Sequence, residues 1–482
     1  MQTKVIIRIL GILLMIFSLA MIPPIFVAWY FGDGGGLAFF TAFVVSLLVG
    51  LTLFLPRKNA KGELRTRDGF LVVVLFWSVL SFMGALPLYL GGIPNFGVAD
   101  AVFESFSGLT TTGATVISGL DNLPHAILFY RQQLQWMGGM GIIVLAVAVL
   151  PMLGIGGMQL YRAETPGPVK DAKLTPRIAG TAKALWYIYF GLTVICALSY
   201  WGAGMSLFDA IGHSFSTIAI GGFSTHDASI GWFENTNIEL ICSLFMLIAG
   251  VNFSLHFVAV RQLSLASYFK DTEFKVYVSI LAIVILISII TLVYHQYYDF
   301  SDAVINSIFH TISIGTTAGF TTDNFTLWPI FLPILLLFVS FIGGCAGSTG
   351  GGMKVIRILL LFKQGGREIK RLIHPNAIFK IRISGTAVPE KVVESVWGFF
   401  ATYVVLFFIF MVILMADGHD QVTAYSAVAA CMNNLGPGLG DVATNYAGLS
   451  DVSKWVLSLA MLFGRLEIFT LLVLFSPDFW RS

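Results

Sequence analysis

Charge is what this chain lacks most. Of 482 residues only 11% are charged, 57% are hydrophobic, and the mean hydropathy is +0.85. Soluble domains carry about 25% charged residues, so the polar surface that a water-facing globule needs is missing and a lipid bilayer is the fitting solvent. The net charge is +2, with no basic block of the kind that binds nucleic acid. Cysteine is scarce too. Cys196, Cys242, Cys345 and Cys431 lie far apart, within or beside apolar stretches, which argues against a disulfide framework or a zinc site. No nucleophile–base or metal constellation points to an intramembrane enzyme. No phosphate-cradling G-x-x-x-x-G-K-[ST] motif fits either, because Met353 precedes Lys354 and Val355 follows it. The expectation is therefore a membrane protein that is not an enzyme and binds no cofactor.

What is present is a series of long apolar runs. A spanning helix needs about 20 mostly apolar residues. Runs near 6–30, 37–55, 70–92, 127–152, 183–204, 237–260, 276–295, 327–362, 395–416 and 454–475 qualify. The first follows Lys4 and Arg8 and imitates a signal peptide, but its length and the second run close behind favour a retained helix. The segments 57–67, 162–183, 261–275 and 354–391 are basic, as are both ends. The alternate loops hold Asp33, Asp121, Asp227, Glu234, Asp299, Asp323, Asp420, Asp441 and Asp451. The positive-inside rule puts both termini and the basic loops in the cytoplasm, consistent with an inner-membrane protein.

Between successive runs lies an internal repeat. Four segments too short to span align without gaps: DAVFESFSGLTTTG (100–113), DAIGHSFSTIAIGG (209–222), NSIFHTISIGTTAG (306–319) and TAYSAVAACMNNLG (423–436). Each opens on a residue suited to a helix N-cap and closes on a glycine thirteen positions later. The implied fold is all-α and membrane-integral. Two leading helices (1–69) precede four parallel helix–loop–helix units at 70–160, 161–265, 266–390 and 391–482. Irregular backbone at membrane depth is tolerated only where protein buries it or water reaches it. Four such loops arranged with pseudo-fourfold symmetry can meet on one axis, where carbonyls replace the water shell of a cation. Glycine there allows close approach and a positive φ. The plainer alternative makes Gly113, Gly222, Gly319 and Gly436 ordinary helix C-caps.

Two further features stand out. Residues 343–352, GGCAGSTGGG, place six glycines in ten positions inside an apolar run, where each interior glycine costs a helix about 1 kcal/mol. Tight packing through small residues is one reading; an unwound, movable segment is another. Arg465 lies in the last apolar run, two residues from Glu467. An ionisable group at that depth faces a cavity or a partner, here the pore below the loops or Glu467 itself. His213 and His310 occupy matching repeat positions, with Glu104 and Ala427 in the other copies, and read as packing residues. Asn252 and His256 either line a cavity or bond between helices.

The motifs TTTGAT (110–115), IAIGGFSTHD (218–227), TTAGFTT (316–322), NNLGPGLG (433–440), GGCAGSTGGGMK (343–354) and MLFGRLEIFT (461–470) together resemble the Trk/Ktr/HKT superfamily of potassium transporters over essentially the whole chain. The two leading helices resemble the bacterial TrkH pore subunits within it. The resemblance implies a K⁺ pore with a selectivity filter at Thr111, Thr112 and Gly113, at Ile220, Gly221 and Gly222, at Thr317, Ala318 and Gly319, and at Asn434, Leu435 and Gly436. In that superfamily glycine at the first loop goes with K⁺, and serine there with Na⁺ permeation in some plant relatives. It also implies a gate at Gly343, Gly344, Gly347, Ser348, Thr349, Gly350, Gly351 and Gly352, with Arg465 beneath the filter. Partners implied are a second copy of the chain and a cytosolic TrkA-like nucleotide-binding ring docked on the basic face 363–391. Alternatives left open are H⁺- or Na⁺-coupled symport and a less selective cation channel.

Overall fold

The computed structural model describes residues 1–60, 62, 64–144, 178–329, 331–466 and 468–481. The end of the 127–152 run, the basic stretch 162–177, the boundary expected at 160/161 and Glu467 lie outside them.

The first span runs from Thr3 to Phe31 as α1 (Thr3–Ser18) and α2 (Ile22–Phe31), joined by a 3-10 turn at Leu19–Met21, and the start of α2 carries Pro23 and Pro24. α3 (Gly36–Phe54) returns antiparallel against α1, close enough that a Cβ on Gly11 would meet the Gly50 carbonyl at 2.8 Å. Four units follow. The first is α4 (Thr66–Leu90), the short α5 (Val98–Leu109) and α6 (His125–Val144). The second is α7 (Ile178–Gly202), the short α8 (Leu207–Ala219), then α9 (Thr236–Ala249) and α10 (Phe253–Gln262). The third is α11 (Thr272–Tyr294), α12 (Phe300–Thr316), α13 (Leu332–Ile342) and α14 (Val355–Ile373). The last is α15 (Glu390–Ala416), α16 (Gln421–Asn433), α17 (Asp451–Arg465) and α18 (Ile468–Leu472). A two-stranded hairpin, Arg382–Ile383 with Thr386–Ala387, joins the last two units.

The short helices start earlier than the repeat alignment expects, with N-caps at Gly97, Ser206, Asp299 and Asp420 rather than at Asp100, Asp209, Asn306 and Thr423. Ser206 accepts from the Asp209 amide, and Asp420 accepts from the amides of Val422 and Thr423. Beyond their first turns these half-helices are largely buried, while the apolar residues Val98, Leu207, Phe300 and Val422 at their outer starts are exposed.

Two expected crossings are not straight. The 237–260 run splits into α9 and α10, which meet at 95°, and α17 meets the segment Ile468–Phe475 at 115°. The 327–362 run stops after eleven residues of α13 and resumes as a helix only at Val355. Glycine stands in close quarters at both bends: a Cβ on Gly464 would sit 2.3 Å from the Met432 carbonyl, and one on Gly250 would sit 2.3 Å from the Tyr277 hydroxyl and 3.2 Å from Cγ2 of Thr316. Glycine admits the neighbour and weakens the helix at the same point.

The packing closes a ring. Each half-helix leans on the second helix of the preceding unit: α8 on α6, α12 on α9, α16 on α13, and α5 on α17.

Candidate ion-conduction site

The four half-helices end alike. In each, the residue two before the repeat glycine bonds back three residues and the next bonds back five: Thr111 N–H to Gly108 and Thr112 to Ser107; Ile220 to Thr217 and Gly221 to Ser216; Thr317 to Ile314 and Ala318 to Ser313; Asn434 to Cys431 and Leu435 to Ala430. This is the Schellman termination, and its left-handed position falls on Thr111, Ile220, Thr317 and Asn434, with φ of 57°, 53°, 73° and 53°. The repeat glycines are therefore not the helix C-caps. They lie two residues on and take a second left-handed step, with φ of 81°, 79°, 81° and 96° at Gly113, Gly222, Gly319 and Gly436. An L residue in that region costs about 1–2 kcal/mol, and three of the four caps are β-branched. Strain kept in register in four copies marks backbone held for its carbonyl directions.

The glycines then meet one another. A Cβ on Gly113 would lie 2.1 Å from the Gly221 carbonyl oxygen, one on Gly222 would lie 2.0 Å from that of Ala318, and one on Gly319 would lie 2.1 Å from that of Leu435. The cycle closes with Gly436, 2.8 Å from the Thr112 carbonyl oxygen. Each loop thus packs its glycine against the carbonyl that precedes the glycine of the next. No other residue fits, and the negative poles of four helices converge on the same point.

Above this ring all four glycines open into one cavity of about 530 Å³, whose rim includes Asp227, Asp323, His226 and Asn445. Below it the space shrinks to about 30 Å³ beside Gly350, Gly351, Lys354, Tyr403, Asn434 and Arg465. The glycine-rich coil fills the difference. Gly351 donates to Thr317 Oγ1 at 2.6 Å, Gly352 donates to the Asn433 carbonyl at 3.0 Å, and Thr349 Oγ1 donates to the Ile218 carbonyl at 2.9 Å. The coil touches the ends of three half-helices at once. Gly343, Gly344 and Gly347 turn its near end against Gly351, Gly250 and Asn252, and Ser348 folds onto the Cys345 carbonyl. Arg465 donates to the carbonyls of Thr349 at 3.2 Å and Gly138 at 2.7 Å, with its guanidinium 5.3 Å from the Trp77 ring.

Other groups matter too, and to three of them, Lys354, Glu273 and Arg131, the sequence reading gave no role. Lys354 is buried and bonds the Gly350 carbonyl. Glu273 accepts from Ala346 at 2.7 Å and Ile356 at 3.1 Å, clipping both ends of the coil. Glu104 and Arg131 form an ion pair at 2.7 Å with 0% and 1% exposure. The signal for Arg131 was available, since it is an ionisable residue inside an apolar run. His213 bonds the Asp209 carbonyl and Ser224, and His310 bonds the carbonyls of Asn306 and Asp323, so both pin the returning loops. His256 bonds the Tyr268 hydroxyl and the Ile248 carbonyl, which is interhelical bonding as one reading had it, whereas Asn252 caps its own helix α10 by accepting from the Ser254 amide. Among the described residues no group of His, Cys, Asp and Glu could hold a resident metal.

The sequence profile of TrkH, a cation transport protein, matches residues 35–482. The chain is 59% identical to the Trk system potassium uptake protein TrkH of Vibrio parahaemolyticus and 57% identical to that of Escherichia coli K12, with all of each chain covered. It is 42% identical to the Trk system potassium uptake protein TrkG of E. coli K12, over 100% of this chain and 99% of that one. The crystal structure of the potassium transporter TrkH from V. parahaemolyticus superposes with a TM-score of 0.91 at 56% identity, covering both chains fully. This chain belongs to the TrkH family of cation transport proteins.

Proposed function

We propose that this chain takes up K⁺ across the bacterial inner membrane through one selective, gated pore. The observation that carries the reading is the closed cycle in which each repeat glycine packs against the carbonyl before the next. Four crossed strands in that cycle offer backbone oxygens to a dehydrated cation. The filter on this reading comprises Thr111, Thr112, Gly113, Ile220, Gly221, Gly222, Thr317, Ala318, Gly319, Asn434, Leu435 and Gly436, arranged with pseudo-fourfold symmetry from four parallel units. The coil 343–352, held by Arg465, is the gate. Its small residues let it swing aside without leaving large side chains in the path. Arg465 sets a positive barrier directly below the filter while the coil is shut.

Both termini and the basic loops lie in the cytoplasm. Two copies assemble, each with its own pore, and a cytosolic TrkA-like nucleotide-binding ring docks on the basic face around Lys363, Lys370 and Lys380. The test is K⁺ flux into proteoliposomes with and without H⁺ or Na⁺ gradients. Flux that follows the K⁺ electrochemical gradient alone supports the reading. Accumulation of K⁺ against its gradient, driven by H⁺ or Na⁺, would replace it with coupled symport, and equal Na⁺ flux would replace it with an unselective channel.

A further inference from the structure

The four loops are not braced equally. Repeat 2 carries glycine at two positions where the other copies do not: Gly212 stands against Phe103, Phe309 and Ser426, and Gly221 stands against Thr112, Ala318 and Leu435. Neither has a positive φ, so backbone freedom does not call for glycine at either place.

The reason lies on α6. A Cβ on Gly212 would meet Gln132 Oε1 at 1.8 Å, and one on Gly221 would meet Cδ, Oε1 and Nε2 of Gln135 at 2.4, 2.5 and 2.8 Å. Two amide side chains of the first unit occupy the room that side chains of the second unit would need. Gln135 then makes a bidentate contact with the loop backbone. Its Nε2 donates to the Gly221 carbonyl at 2.6 Å, and its Oε1 accepts from the Phe223 amide at 3.0 Å. One turn earlier Arg131 donates to the Ser224 carbonyl at 3.1 Å, with its own position set by Glu104. Among the described residues, Gly221 is the one of the four carbonyls packed against a repeat glycine that accepts from a side chain; the Tyr446 hydroxyl donates instead to the carbonyl of Gly436 itself, at 2.7 Å.

We propose that Gln135 is a specificity-determining positioning residue: it fixes the direction and the polarity of the Gly221 carbonyl, and so makes the seam between loops 1 and 2 the part of the filter that discriminates K⁺ from Na⁺. This rests on the filter reading above. A carbonyl held on its far side cannot close around a smaller ion, and the donor withdraws part of its charge. Both effects penalise Na⁺, whose tighter shell needs closer and stronger oxygens than K⁺ does. The other three carbonyls lack that restraint and follow the ion.

The experiment measures K⁺ flux and the K⁺/Na⁺ permeability ratio in proteoliposomes for wild type, Gln135→Met, Gly221→Ala and the double variant Gln135→Ala/Gly221→Ala. Gln135→Met keeps the volume and removes the donor; its K⁺ flux persists while the ratio falls by about fivefold, the size of one hydrogen bond. Gly221→Ala alone loses flux through the clash, and the double variant regains it with a lowered ratio. A merely structural role would not predict rescue by removing a second side chain. A selective wild type with an equally selective Gln135→Met overturns this inference alone, as does a double variant as inactive as Gly221→Ala. A wild type with no preference for K⁺ overturns the filter reading beneath it.

Discussion

Arg465 donates from Nη1 to the Thr349 carbonyl across 3.2 Å, and so ties the last membrane helix to the middle of the glycine-rich coil. The same guanidinium reaches the Gly138 carbonyl on α6. One residue therefore links the first unit, the third and the fourth directly beneath the loops.

Replacing Arg465 with Gln removes two charge-assisted hydrogen bonds, each worth about 1.5–3 kcal/mol, together with the positive barrier. Basal K⁺ conductance of purified protein without a regulatory partner is expected to rise at least about tenfold. Single-channel recording or proteoliposome flux checks it.

Shortening the coil within 347–352 breaks the bonds from Gly351 to Thr317 and from Gly352 to Asn433. The expected outcome is a leaky pore with raised basal flux and an unchanged K⁺/Na⁺ ratio, because the loops above keep their own Schellman bonds. A pore that stays closed in the same flux assay would argue against the gate.

Gly113→Ser places a side chain where only 2.1 Å separates it from the Gly221 carbonyl oxygen. The carbonyl must turn or the loops must part. The K⁺/Na⁺ permeability ratio, read from bi-ionic reversal potentials, is expected to fall by about tenfold, or about 1.4 kcal/mol of relative barrier.

Breaking the Glu104–Arg131 pair from one side leaves an uncompensated buried charge. Glu104→Gln is expected to destabilise the outer end of the loops by about 3–5 kcal/mol, seen as a lower thermal midpoint in detergent. Glu104→Asp is expected to lose less, because the charge remains.

His226 sits on the outer rim, stacked on Trp232 at 3.6 Å between centroids, with Nδ1 2.5 Å from Asp121 and Nε2 3.6 Å from Asp209. Burial alone would lower its pKa, but the carboxylates of Asp209 and Asp121 outweigh burial and hold it above the ordinary value. The stabilisation is therefore full below about pH 6.5 and is lost as external pH rises through the raised value. A thermal-stability profile against pH should show that loss on the alkaline side in wild type and its absence in His226→Gln.

Much of this protein was legible before its structure. Hydropathy gave the membrane class, and the gapless repeat located four half-helices that the structure contains at Val98–Leu109, Leu207–Ala219, Phe300–Thr316 and Gln421–Asn433. The break at 343–352 showed in composition because glycine weakens a helix locally. The bends at Gly250 and near Gly464 did not, since a lone glycine in an apolar run is compatible with a straight span.

The sequence by itself determined which residues repeat, and hence that Gly113, Gly222, Gly319 and Gly436 are equivalent. Local propensity and periodicity act over a few turns and are written in neighbouring residues. Only the tertiary structure decided what each glycine faces: the carbonyl of the next loop, more than eighty residues away along the chain. It also decided that the left-handed caps fall two residues earlier, at Thr111, Ile220, Thr317 and Asn434. The β-branched Thr111, Ile220 and Thr317 have no local reason to adopt that conformation, whereas asparagine at 434 tolerates it. Packing from neighbouring units imposes it, and contacts of that kind cannot be read from one segment alone.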